Sequence, residues 1–363
     1  MPNSLIFNAP FNNLSFGQVS YNIARELFKK DIDTYILPFG QPNLAAYPKD
    51  DVASWIKAGC ERGLKKFNRE IPTLKMWHIQ GSEQSPSKRQ VLFTFHETDE
   101  PTAEEINIVN QQDFTFFSST YSRDNFADAG AQNVGNVGLG FDSDILKDGT
   151  SRKASPITHW ILVGKCERRK NTAMILKTWV KKYGKNPRHS LTAVIFNPFL
   201  HQRDPHAHEK MLAAVFEGKP KPFNVQIFNP LQTNVEINQL YNNADIDLSG
   251  FSNAEGWGLP AFNMTALGKW SIVTNCSSHT DWATKENSIL VNPIGKQPCY
   301  DDVHFFKGHT FNQGNVFAFT EDQLSNAMDI AAQKAKTVNT EGVILREKFT
   351  YAKTVETLLE KVL

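Results

Sequence analysis

The feature that most constrains this chain is a repeating alternation of short apolar runs with longer amphipathic segments. "SLIF" (4–7) leads through a polar loop into "GQVSYNIARELFKK", where Val19, Ile23 and Leu27 recur at helical spacing. "TYILPF", "QVLFTF" (90–95), "DFTFFSS" (113–119) and "AQNVGNVGLG" (131–140) read as further strands. Periodicity is then lost over "SDILKDGTSRKASP" (143–156), which reads as a linker. It restarts with "THWILVG" (158–164), the helix "NTAMILKTWVKKYG", and strands near "LTAVIF", "NVQIF", "SIVTN" and "SILVNP". Strands separated by helices imply βαβ units and a parallel sheet covered on both faces. The expectation is an α/β protein of two doubly wound halves, 1–150 and 151–340. The amphipathic segment "TVETLLEKVL" near the end belongs to a terminal helix in 341–363 that crosses back to the first half.

Length and composition agree. At 363 residues the chain exceeds one ordinary core. Its formal charge of +1 gives no global field for nucleic acid or membrane. Cys60, Cys166, Cys276 and Cys299 are far apart, which suits a reducing compartment better than a disulfide framework. The start "MPNSLIFNAPFNN" lacks a basic stretch followed by a long apolar run, so no signal peptide is expected. No run of about 18 apolar residues predicts a membrane span, and a cytoplasmic location is expected.

In open parallel sheets, ligands bind beyond the carboxyl ends of the strands. Four loops there carry chemistry. "VGKCERRKNT" sets Lys165, Arg168, Arg169 and Lys170 between a strand and a helix start, where cations and helix dipole together suit a diphosphate. A solvated basic loop is the plainer reading. In "AEGWGLPAFNMTALGK" (254–269), Gly256 and Gly258 let backbone amides approach a ligand, and Pro260 suits a first helical turn. Glu255 at that helix mouth is either a simple helix-start charge or an acceptor for ligand hydroxyls. Cations for a diphosphate beside a hydroxyl-accepting carboxylate describe a nucleotide-sugar. "NAPFNNLSFGQ" and "FHETDEP" are the other two loops.

The pattern "LYNNADIDLSGFSNAEGWGLPAFNMTALGKWSIVTN" (240–275) resembles the donor-binding region of the retaining "group 1" glycosyltransferases of GT-B fold. "ILVGKCERRKNT" resembles their phosphate-binding segment, and "VGLGFD" (137–142) their turn before the interdomain linker. The resemblance implies two Rossmann-like domains facing a central cleft, with a nucleotide-sugar (a UDP-sugar favoured) as co-substrate and no obligatory metal. It implies that Lys165 and Lys170 hold the donor diphosphate and that Glu255 meets a hydroxyl of the transferred sugar. Amides around Trp257, Gly258 and Leu259 would lie along the sugar and phosphates. Ser15, Phe16 and Gly17 match the first loop of the family, and His96 matches the histidine used beside the sugar. Where the family has a second glutamate facing the ribose, this chain has Asn263, a weaker acceptor.

Two clusters read more plainly. His201, His206 and His208 in "HQRDPHAHEK" are expected in a solvated loop, not at a metal. Glu97, Asp99 and Glu100 could act on an acceptor hydroxyl, but are expected chiefly as helix-start charges. For the acceptor, residues 57–90 hold eight Lys or Arg against three acids, interleaved with Phe67, Trp77 and His78. Basic side chains with aromatics suit a phosphate backbone and an exposed base, while composition alone fits an ordinary charged surface with core aromatics slightly better. "FNNLSFGQVSYNIARELF" resembles phage-encoded members of the family. DNA bearing a hydroxymethylated base is therefore the expected acceptor, with Lys65, Lys66 and Phe16 on the acceptor side; if phage-encoded, the protein would act in host cytoplasm. The alternatives are an acceptor in a polysaccharide or lipid-linked glycan, and a non-catalytic sugar-nucleotide binder.

Overall fold

A computed structural model describes residues 4–66, 68–148, 155–229 and 231–363. The first half carries strands β1 (Ser4–Ala9), β2 (Asp33–Pro38), β3 (Thr73–Met76), β4 (Gln90–Thr94), β5 (Phe114–Phe117) and β6 (Val134–Asn136). Its helices are α1 (Ser15–Lys29), α2 (Asp51–Lys65), α3 (Ala103–Asn110) and α4 (Thr120–Asp128). The second half carries β7 (Thr158–Val163), β8 (His189–Val194), β9 (Val225–Phe228), β10 (Ile246–Asp247), β11 (Trp270–Thr274) and β12 (Ile289–Val291). Among these lie α5 (Thr172–Tyr183), α6 (Pro198–Arg203), α7 (Ala207–Val215), α8 (Asn234–Asn243) and α9 (Leu259–Ala266). A hairpin of β13 (Gly295–Pro298) and β14 (Asn315–Ala318) follows, then α10 (Glu321–Lys334), α11 (Thr340–Val343), α12 (Leu345–Lys348) and α13 (Tyr351–Val362).

The two six-stranded sheets have orders β2-β1-β3-β4-β5-β6 and β12-β11-β10-β7-β8-β9, and all strands in both are parallel. The expected doubly wound α/β architecture of two units therefore holds. Each sheet reverses its winding once, between β1 and β3 in the first and between β7 and β10 in the second. A crevice opens at such a switch point because the loops leaving the two strands turn to opposite faces. Those loops contain residues 10–14, 77–81, 164–171 and 248–258, which fixes where a site can form. The boundary expected at 150/151, and 149–154 within the expected linker, lie outside the described residues, as does Phe67.

The segment 57–90 holds the end of α2 and the central strand β3, so its basic residues are divided between a helix end, a buried strand and loops. Lys75 in β3 is buried, and its Nζ donates to the carbonyls of Gly81 (2.8 Å) and Gln84 (2.7 Å). Burial pulls its ammonium down to about 8. A lysine with carbonyl partners supplied later in the chain can sit in a strand interior, so an apolar-run criterion passes over it.

α13 packs along α1 and against β3 and β4, burying Tyr351, Val355, Leu358 and Val362 in the core of the first half. The turn "VGLGFD" meets it closely: Phe141 N donates to Phe349 O (2.9 Å) and Thr354 Oγ1 to Gly138 O (2.8 Å). A Cβ on Gly140 would lie 2.1 Å from Tyr351 N, so only glycine permits this crossing. Among the described residues, no helix is long and apolar enough to cross a membrane.

Candidate active site

A cavity of about 680 Å³ lies between the halves, at the carboxyl ends of both sheets. α1 and α9 both begin at its wall, and neither has a side-chain cap. By contrast α2, α3, α4, α8, α10 and α13 are capped by Asp50, Thr102, Ser119, Thr233, Thr320 and Thr350. The starts of α1 and α9, like that of α5, thus lack a side-chain acceptor, and at the cavity wall such helix starts suit an anion or hydroxyl, although Pro260 removes one N–H from α9.

The loop before α9 is built for close approach. Gly258 is left-handed at φ 82°, and a Cβ there would lie 2.5 Å from His279 Nε2. A Cβ on Gly256 would lie 2.9 Å from Phe95 Cβ across the cleft, and Ser118 Oγ donates to Gly256 O (2.6 Å). The loop is therefore clamped between the halves. Trp257 contributes to the cavity wall, but its ring packs against Phe262 and Phe349 in the core. Leu259 and Asn263 also line the cavity, and Asn263 Oδ1 is buried without a hydrogen-bond partner.

Glu255 is buried in this wall. Its Oε1 accepts from Lys170 Nζ at 2.6 Å, and its Oε2 lies 3.4 Å from Arg169 Nη1. Burial pushes the Glu255 carboxyl up, but the charges of Lys170 and then Arg169 outweigh it and bring it down to about 2. Arg169 is the hub. Its Nη1 also donates to Ala254 O, while its Nη2 lies 3.2 Å from Glu167 and 3.5 Å from Glu97. Lys165 pairs with Glu167 at 2.8 Å, beneath the ring of Phe199. Glu167 is likewise held at about 2, Arg169 and then Lys165 overcoming the effect of burial. Within the basic loop Arg168 is exposed and donates to Tyr300 O, whereas Lys165, Arg169 and Lys170 face Glu97, Glu167 and Glu255.

The structure brings Glu255, Lys165, Lys170, Trp257, Gly258, Leu259, Asn263 and Phe16 to one cavity. Phe16 lies 4.4 Å from the His78 ring, 4.5 Å from Phe95 and 5.9 Å from Trp77, measured between ring centroids. Gly17 stands behind this wall. A Cβ there would strike Asn12 within 2.5 Å, so its role is to let the first loop fold onto α1.

Three expected residues lie elsewhere. His96 turns away from the main cavity, because residues following a strand alternate in facing and its neighbours Phe95 and Glu97 take the cavity side. Its ring is buried against Phe126, with Nε2 3.4 Å from Glu105 Oε1. Lys65 and Lys66 close α2, which runs antiparallel to β2; Arg62, one turn earlier, donates to Thr34 O near the start of β2. Both lysines therefore stand at the amino-terminal edge of the sheet, the end away from the cavity. They are corrected as acceptor-binding residues.

Arg169, expected only as one cation of the basic loop, and Glu97, expected chiefly as a helix-start charge, both line the cavity. The Glu97 carboxylate lines the cavity, whereas the start of α3 is served by the Thr102–Glu105 capping box. Its signal was its position one residue past His96 at a strand end. Of the histidine cluster, His201 lies in α6 and His208 in α7, not in a loop, and His206 pairs with Glu209 at the surface. Among the described residues no group of three or more His, Cys, Asp or Glu is placed to hold a metal ion.

His279, beneath Gly258, gives a stability prediction. Its Nδ1 donates to Thr274 O (3.0 Å), and its Nε2 is buried without a hydrogen-bond partner. Burial pulls the imidazole down from 6.5 to about 4. The unfolded chain takes up this proton below about 6.5 and the folded protein resists it, so stability falls as pH drops through that window. The expected loss is roughly 2–3 kcal/mol between pH 7.5 and 4.5. Urea unfolding of His279→Asn, which keeps the donor to Thr274 O, should lack that component; an identical pH slope in both proteins would disprove it.

No protein-family model matches the sequence, and no curated protein matches it by sequence. Solved structures share its fold. HepE of Anabaena, solved with UDP-glucose, aligns at TM-score 0.67 with 13% identity over 98% of each chain. Sucrose-phosphate synthase from Thermosynechococcus elongatus aligns at TM-score 0.68 with 12% identity over 99% of this chain and 98% of that one. A UDP-forming α,α-trehalose-phosphate synthase from Burkholderia xenovorans aligns at TM-score 0.65 with 12% identity over 100% and 99%. At these identities the likeness establishes the fold, which is GT-B.

Proposed function

We propose that this protein is a glycosyltransferase that moves a sugar from a nucleotide-sugar, a UDP-sugar favoured, to an acceptor hydroxyl. The observation that carries the reading is Glu255, ionised and held by Lys170 and Arg169 beside the uncapped start of α9. The solved structures of this fold include one with bound UDP-glucose and two synthases of phosphorylated sugars, which supports the donor class.

In this reading the diphosphate lies at the α9 start and beside Lys165 and Lys170, which stabilise the charge that develops as it departs. Asn263 offers its free Oδ1 to a ribose hydroxyl. Glu255 accepts a hydrogen bond from a hydroxyl of the transferred sugar while positive charge develops at the anomeric carbon. The acceptor oxygen bonds to that carbon as the bond to the diphosphate breaks, and the acceptor proton passes to the departing diphosphate oxygen. Attack from the face that the diphosphate leaves would retain the anomeric configuration.

The acceptor reading shifts from the one drawn from sequence. Lys65 and Lys66, which suggested DNA, stand at the wrong edge of the sheet, whereas Phe16, Trp77, His78 and Phe95 form an aromatic wall in the cavity. That wall suits the apolar face of a sugar, and we favour a neutral hydroxyl-bearing acceptor over a hydroxymethylated base. Steep loss of transfer to DNA with rising salt would restore the DNA reading.

Calorimetry with UDP, GDP and ADP, followed by incubation with UDP-glucose, tests the proposal. Slow hydrolysis of the donor separates an enzyme from a non-catalytic binder. Lys170→Ala should weaken binding of the preferred nucleoside diphosphate by roughly ten- to a hundredfold, the worth of a charge-assisted contact. Unchanged affinity in a folded variant would remove Lys170 from the diphosphate site.

A further inference from the structure

A second pocket of about 240 Å³ adjoins the main cavity and shares His78, Phe95, Glu97, Lys165 and Arg169 with it. Its own walls come from His96, Glu105 and Glu167 and from the loop between β13 and β14, through His304, Phe305, Phe311 and Asn312. That loop belongs to the second half yet is stapled to the first. Asn312 N donates to Glu105 Oε1 (2.8 Å), Thr102 Oγ1 donates to Thr310 O (2.6 Å), and Lys296 Nζ pairs with Asp99 (2.6 Å). The hairpin thus closes one side of a pocket that the first half alone would leave open.

Three side-chain nitrogens of the lining residues are buried without a hydrogen-bond partner: His96 Nδ1, Arg169 Nε and His304 Nε2. His96 is only 2% exposed, and His304 Nε2 stands 3.6 Å from Glu167, beyond hydrogen-bond reach. Buried polar atoms without a hydrogen-bond partner are scarce in folded proteins, and three belong to side chains that line this one small pocket, which marks its wall as polar and incompletely paired. The charges narrow its chemistry. Glu97, Glu105 and Glu167 outnumber Lys165 and Arg169, which disfavours a phosphate. Hydroxyl groups, which both donate and accept, satisfy ring nitrogens and carboxylates alike.

We propose that this pocket is the acceptor subsite and receives one ring of a neutral saccharide, with the β13–β14 loop as the wall that limits its size. The inference rests on the glycosyltransferase reading and names its second substrate. The main cavity is of a size to hold a whole nucleotide-sugar and alone carries Glu255, Lys170 and the start of α9. The smaller pocket has none of these. Glu97, on the shared wall and held 3.5 Å from Arg169, would accept a hydrogen bond from the acceptor where the two substrates meet.

The test uses the whole protein with saturating UDP. Saturation-transfer NMR should detect binding of at least one methyl glycoside of glucose, galactose or mannose. His304→Trp, which fills the pocket, should weaken that binding at least tenfold while calorimetric affinity for UDP stays within twofold. His304→Ala, which adds no bulk, serves as a second variant should the tryptophan disturb folding, and should weaken the glycoside at least threefold. Absence of glycoside binding to the wild type overturns the subsite, as does unchanged binding in the folded variants. Displacement of the glycoside by inorganic phosphate overturns its neutral character. Parallel loss of glycoside binding and UDP-glucose hydrolysis assigns the pocket to the donor sugar and also overturns the proposal. If UDP, GDP and ADP all fail to bind the wild type, the glycosyltransferase reading itself falls, an outcome distinct from losing the subsite alone.

Discussion

Replacing Glu255 by glutamine should lower turnover by about 10²–10³-fold while changing donor affinity by less than about tenfold. Glutamine keeps the shape and can still accept a hydrogen bond, so the ground-state complex loses little. What it lacks is the negative charge beside an anomeric carbon that becomes positive as the diphosphate departs. An interaction that strengthens only as charge develops is lost from kcat and not from binding. Because Lys170 and Arg169 hold the carboxyl near 2, Glu255 stays ionised throughout the working range. Any fall of kcat on the acid side above about pH 4 then belongs to another group and should persist in the variant. Single-turnover donor hydrolysis and calorimetry give the two numbers. Turnover within twofold of wild type would make Glu255 a structural partner of Lys170 and nothing more.

Arg169→Met should destabilise the fold by about 3–5 kcal/mol at pH 7, the effect of removing one side of a buried ionic network. Glu97, Glu167 and Glu255 all face this guanidinium, and Glu167 and Glu255 are buried. In the wild type the depressed carboxyls of Glu167 and Glu255 contribute stability that is present above about 4.5 and lost only as pH falls towards 2. Without Arg169 their folded-state values rise, so the variant takes up protons at a higher pH than the wild type. The stability difference should therefore shrink between pH 7 and pH 5. Urea unfolding at both pH values measures it. A loss below 1 kcal/mol at pH 7 would mean that Lys165 and Lys170 suffice to hold the three carboxylates.

The strand–helix alternation made the architecture legible, since its periodicities follow from local backbone geometry. Loops after strands were recognisable for the same reason, and Lys165, Lys170, Glu255 and Phe16 were found there. β3 was passed over because Lys75 interrupts its apolar run, and its satisfaction by Gly81 and Gln84 is not visible from composition. Lys65 and Lys66 looked like acceptor residues by charge, yet the antiparallel course of α2 against β2 sends them to the far edge.

By itself the sequence determined the parallel α/β architecture, the loops after β1 and β7 and the one before α9, and the chemical types those loops carry; β3 with its loop 77–81, and the two-residue β10, were not legible. Only the tertiary structure decided the pairings. Lys170 meets Glu255 across a sequence separation of 85, and Arg169 gathers Glu97, Glu167 and Glu255 from loops of both halves. It also decided that His96 faces the smaller pocket and that a hairpin loop from the second half closes that pocket. The physical reason is range. Periodicity and turn chemistry act within a few residues, whereas a buried charge takes its partner from whatever the fold sets beside it.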